Sequence, residues 1–133
     1  MNPLVDLEPE LDLFLVDKGI STPIFFQRFS EKSPDAAIMI ESSGLPGELP
    51  IDVPIDLHRM KIVVRDPDPL TALTLARTIG NLIHGAIPGK FHPTSTLFLI
   101  GAFVDEAPQR TDNEDKDLPE HTLFAVFRVR PLT

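Results

Sequence analysis

A chain of 133 residues closes one hydrophobic core comfortably, and a second core would need more sequence. Its net charge of −8 argues against broad adhesion to nucleic acid or to anionic membranes, both of which need a basic footprint, and the absence of cysteine excludes disulfides and thiolate chemistry. An apolar fraction of 42% with nine Phe is globular composition, whereas fourteen Pro without Trp or Tyr announce many changes of chain direction.

Leu4, Leu7, Leu11, Phe14 and Leu15 recur at helical spacing, and Gly19 after Lys18 is a stop signal. The spacing predicts a first helix whose regular part starts near Pro9, because a proline inside a helix loses a hydrogen bond and clashes with the carbonyl four residues back. Asp6, Glu8 and Glu10 stand where a secretory signal would carry basic and then apolar residues, so a soluble, intracellular protein is expected. Ile24–Phe29 and Ala37–Ser42 read as strands joined by a tight loop that holds Ser30, Ser33, Pro34 and Asp35. Pro46, Gly47, Pro50 and Pro54 make the next stretch too proline-rich for a central strand, and residues 44–56 are expected to form an ordered, projecting loop.

Leu57 to Arg65 alternates, with His58, Met60, Ile62 and Val64 on a core side and Leu57, Arg59, Lys61, Val63 and Arg65 on a mostly polar one. Asp66 or Asp68 can then cap a helix opened by Pro67 or Pro69, with an apolar stripe of Ala72, Leu75, Ala76, Ile79, Leu82 and Ile83 and an end at His84 and Gly85. Pro88, Gly89 and Pro93 mark a loop. Leu97–Val104 is apolar on both alternating faces apart from Gly101, and Thr122–Arg130 is the last strand. Between them, residues 105–120 are acidic and poor in apolar residues, as a mobile surface loop would be.

The expected architecture is α+β: a single domain over residues 1–133, with a mixed, mainly antiparallel sheet of four to five strands and two helices packed on one face. Two modest helices can hardly cover both faces of such a sheet, and apolar area left in water costs roughly 25 cal/mol per Å². A neighbouring subunit is the expected cover.

Chemistry is harder to find. His58, His84, His92 and His121 lie in different elements without metal-ligand spacing, and Asp112 to Asp117 lacks the alternation and central Gly of an EF-hand loop. No nucleophile elbow, Ser-x-x-Lys motif or phosphate-cradling glycine loop occurs. No enzyme activity, cofactor or metal is expected. Arg59, Lys61, Arg65, Arg128 and Arg130 form the main basic grouping, readable as a solvated face or as an interface for a neighbour's acidic loop.

Several pieces fall in a recognisable order: a first helix ending Lys18-Gly19-Ile20, the strand Ala37 to Glu41 running into Ser42-Ser43-Gly44, and the proline-rich loop. The strand ending Ile62-Val63-Val64-Arg65, the helix ending Leu82-Ile83-His84-Gly85 and the last strand Phe124 to Arg130 follow. From about Leu4 to Arg130 the sequence resembles the phage minor capsid family to which many tail terminator proteins of long-tailed bacteriophages belong, departing at Pro9 and in the Pro88–Pro93 connection. The resemblance implies a virion protein at the head–tail junction, assembled in the host cytoplasm. It would be a homo-oligomeric ring, hexameric by expectation, that binds the last tail tube ring, halts tube growth and offers a surface to the head connector. DNA would pass its lumen without specific binding. It carries over no catalytic residue, only loops; Leu45, Glu48, Ile51 and Asp52 in the first and Asp112, Glu114, Asp115 and Asp117 in the second join the basic grouping as expected interface residues. Two alternatives stay open: a head completion protein that seals the portal, and a small hydrolase or metal-binding enzyme using the acidic loop.

Overall fold

The computed structural model describes residues 7–29, 33–43, 56–112 and 118–132. The first helix, α1, runs Leu7–Asp17 with Leu7, Leu11, Phe14 and Leu15 buried, the stripe expected from its spacing. Pro9 sits in its first described turn, where the missing donor costs least. The helix ends in a Schellman motif: Gly19 takes a φ of +97°, which places its N–H on the Val16 carbonyl (3.0 Å) and the Ile20 N–H on the Leu15 carbonyl (3.0 Å). Glu8, buried in this helix, accepts the Ser42 N–H at 3.0 Å and ties α1 to the sheet.

Among the described residues six strands form one mixed sheet: β1 (Ile24–Phe26), β2 (Ala37–Ser42), β3 (Asp56–Arg65), β4 (Gly89–Lys90), β5 (Leu97–Asp112) and β6 (Pro119–Pro131). Their spatial order is β1-β2-β3-β6-β5-β4, so the four to five strands expected from the sequence become six. The addition is β4, two residues that pair with Phe98 and Leu99 inside what reads as a loop. β1 is shorter than expected and pairs with β2 in parallel, not as a hairpin. Its end is a γ-turn, in which the Arg28 N–H reaches the Phe26 carbonyl (2.8 Å) across Gln27 at φ +70°.

The second helix, α2, spans Pro69–His84. Asp68 is its cap, accepting the Leu70 N–H at 3.2 Å and the Thr71 hydroxyl at 2.7 Å, and Pro69 opens it. Both helices lie on one face of the sheet. There Leu11, Phe14, Leu15, Ala76, Ile79 and Ile83 meet Ile38, Ile40, Met60, Ile62, Val64, Leu99, Leu123 and Phe127, all buried in one cluster. Phe91 joins the layers, edge-on to Phe14 at 5.4 Å and tilted against Phe127 at 5.7 Å. Each such fully buried large apolar side chain contributes about 1.5–3 kcal/mol of transfer free energy.

The expected loop at residues 105–120 is corrected in part. β5 continues through Asp112 and β6 begins at Pro119, with Gln109, Arg110 and Thr111 opposite Thr122, His121 and Glu120. The composition there is polar on the β5 side, where Gln109, Arg110 and Thr111 are exposed, although His121 and Thr122 opposite them are buried. Register shifts between Leu99 and Gly101, Val104 and Glu106, and Glu106 and Gln109 break the strict alternation.

Candidate assembly surface

The helix-free face follows from the register. Leu57, Arg59, Lys61, Val63 and Arg65 of β3 stand opposite Arg128, Val126, Phe124, Thr122 and Glu120 of β6. Val126 in turn faces Phe103 of β5, and Arg130 faces Phe98. This face is as rich in aromatic side chains as the core, and the chain shields much of it with arginine. The Arg59 guanidinium lies 4.1 Å over the Phe124 ring, Arg65 4.0 Å over Phe29 and Arg130 4.3 Å over Phe98. Met39, Val63 and Val126 are buried between them on the same face. The apolar excess that the sequence assigns to a neighbour is thus met in good part within one chain, because a planar guanidinium covers a ring and keeps its donors wet.

The expected interface residues separate accordingly. Arg65 does not face solvent as expected: it is 1% exposed and donates to the Pro34 carbonyl at 2.7 Å and the Asp35 carbonyl at 3.4 Å, which closes the stretch before β2. Arg59 is already engaged by its own chain, with Asp105 at 2.6 Å and Glu106 at 3.5 Å. Arg130 is half-buried and turns one nitrogen back to the Pro131 carbonyl at 3.0 Å. Lys61, opposite Glu41, is half-buried, whereas Arg128 is exposed; among the described residues neither makes an ion pair. Asp112 ends β5, and Leu45, Glu48, Ile51, Asp52, Glu114, Asp115 and Asp117 lie outside the described residues.

One feature of β5 had no signal in the sequence. β4 covers its outer side only at Phe98 and Leu99, so among the described residues the edge from residue 100 to 112 has no partner strand. Beside that edge, α2 and β5 bound a groove of about 510 Å³, lined by Arg77, Gly80, Asn81 and His84 of α2 and by Val104, Asp105, Ala107 and Pro108 of β5. Asp105, Glu106, Pro108 and the register shifts are features that keep such an edge from pairing indiscriminately.

Two polar clusters also escape a reading of the sequence, because their members are far apart in the chain. The His92 ring donates from Nε2 to Glu10 Oε2, and the Ser95 hydroxyl donates to the same oxygen at 3.1 Å. Ser95 Oγ also accepts the Leu97 N–H at 3.0 Å. The serine is therefore spent on a carboxylate and a backbone amide rather than on the imidazole, whose Nδ1 lies 3.3 Å from the Thr94 hydroxyl, and the group clasps α1 to the β4–β5 connection. His121, buried under α2, has no hydrogen-bond partner for Nδ1; burial, then the Arg110 and Arg77 charges, hold its pKa below the usual 6.5. Among the described residues no group of three or more His, Asp or Glu side chains could hold a metal ion, and no helix is long and apolar enough to cross a membrane. Compared with known proteins, the chain matches no family model and no curated protein.

Proposed function

We propose that this chain is a structural subunit of a long-tailed bacteriophage, a tail terminator whose copies close into a ring, hexameric by expectation, on the last tail tube ring. There it stops tube growth and joins the tail to the head connector. The observation that carries this reading is the outer edge of β5, unpaired among the described residues, with the groove beside it, a surface that an identical neighbour can use head to tail. Where its rotation closes, such a heterologous contact gives a ring, and the two ends of that ring differ, as a cap that ends stacking requires. The net charge of −8 suits a conduit, since a basic wall would release counterions from DNA and hold it.

Tail tubes polymerised with and without the purified protein, measured by electron microscopy, test the assignment. Tubes of limited length bearing a ring at one end are expected. Tubes that grow regardless contradict it, and rings that seat on DNA-filled heads while ignoring tubes would reassign the chain as a head completion protein.

A further inference from the structure

The sheet has two outer edges, and the backbone fixes what each can offer. At β1, the Ile38 N–H reaches the Pro23 carbonyl (2.8 Å) and the Gln27 N–H reaches the Ile40 carbonyl (2.9 Å). Odd-numbered residues there turn to β2, so the N–H and carbonyl of Ile24 and Phe26 turn outward. At the other end of the sheet, the Asp66 N–H on the Pro119 carbonyl (3.3 Å) sets the odd-numbered residues of β6 toward β3. The even-numbered Val126 and Arg128 therefore face Phe103 and Gly101 of β5, and Ala102 and Val104 of that strand turn outward. Among the described residues neither outward pair meets another strand. Gly101–Val104 is also a run between two register shifts, long enough to take the three residues of β1.

We propose that β1 of one copy adds antiparallel to β5 of the next, with Ile24 opposite Val104 and Phe26 opposite Ala102. In this register both outward-turned residues of β1 meet both of β5. Polarity follows from the faces. Ile24, Ala102 and Val104 all pack against the helix-side core, and Phe26 shares the parity of Ile24. An antiparallel pair therefore keeps the helices of both copies on one side of the joined sheet, whereas a parallel pair would set them on opposite sides. The side chains agree with the register. Phe26 and Phe103 are 40% and 45% exposed, large apolar residues left in water at the two edges. The pairing lays Phe26 beside the small Ala102 and brings Ile24 against Val104 at the groove beside α2. On the helix-free face it sets Phe25 directly opposite Phe103, an aromatic cross-strand pair at the closer, non-hydrogen-bonded spacing. The Phe26 carbonyl is already held by the Arg28 N–H at 2.8 Å, so the new hydrogen bonds fall on the Ile24 N–H and carbonyl and on the Phe26 N–H.

The proposal deepens the ring reading and rests on it for self-association. Because the chain has no cysteine, it can be tested by disulfide trapping between two distinguishably tagged copies, expressed together and oxidised after purification. One copy carries Phe25→Cys; the other carries Phe103→Cys or, as the opposite-face control, Ala102→Cys. Given the short Cβ separation a disulfide demands, position 25 should link to 103 at least about tenfold more than to 102. Rings lost, by native mass spectrometry, only when positions 25 and 103 are both substituted, with urea midpoints unchanged, would also place those side chains in the contact. Rings that form without the link, or with equal links to 102 and 103, would overturn the strand addition and leave the ring standing. Links of 25 to 25 or of 103 to 103 in its place would overturn it in favour of a two-fold contact. An unsubstituted chain that stays monomeric would overturn both.

Discussion

The two faces of this sheet are both apolar by alternation, yet they are covered by different means. On one, α1 and α2 exclude water from Ile38, Met60, Ile62, Val64, Leu123 and Phe127. On the other, arginines lie over Phe29, Phe98 and Phe124. Helix burial is dry, dense and insensitive to salt. Arginine cover is thinner, holds its charge at the surface and leaves the face polar enough to meet another subunit. The comparison teaches that an apolar strand face does not by itself require a partner; an unpaired backbone edge is the stronger reason to expect one.

Substitutions on the two faces should differ in size and in salt dependence. Phe127→Ala, on the helix face, should cost about 3–5 kcal/mol by urea unfolding, since the ring packs on Phe91 and leaves a cavity. Arg65→Ala, buried on the opposite face, should cost about 2–3 kcal/mol, because it removes charge-assisted bonds to two backbone carbonyls and uncovers Phe29. A loss below about 0.5 kcal/mol would refute the claim that arginine serves as cover there. Arg59→Ala should cost only about 1 kcal/mol, shrinking as salt is raised, because its pair with Asp105 is partly wet.

Acid provides a finer probe of the helix face. The folded chain resists protonating His121, whereas the unfolded chain takes the proton near 6.5. The histidine's contribution is therefore complete above that pH and declines as pH falls below it toward the depressed folded value. Urea midpoints compared at about pH 7.5 and about pH 5 should drop further for the native chain than for His121→Asn. Equal drops would remove His121 from the acid response. Smallest of all, Gln27→Gly should stabilise by up to about 1 kcal/mol through relief of the positive φ that ends β1.

Local signals were legible where the deciding contacts are close in sequence. Asp68 and Pro69, Gly19, and the alternation of Met60, Ile62 and Val64 set their elements through neighbours a few residues away. Three features were not legible. The parallel pairing of β1 depends on a partner reached across an intervening stretch, and β4 is two residues whose only signature is their pairing with Phe98 and Leu99. The polar half of the β5–β6 hairpin has a loop's composition because its β5 residues, Gln109, Arg110 and Thr111, are exposed opposite Thr122, His121 and Glu120. The candidate site divides in the same way. The basic grouping was visible as residue types, but the burial of Arg65 and the engagement of Arg59 by Asp105 depend on contacts 30 and 46 residues apart.

The central claim is that copies of this chain close on one another. Native mass spectrometry of the purified full chain across a range of concentrations tests it most directly. A single closed oligomer of fixed copy number, six by expectation, is the predicted result; a folded monomer that persists at the highest concentration would contradict the account.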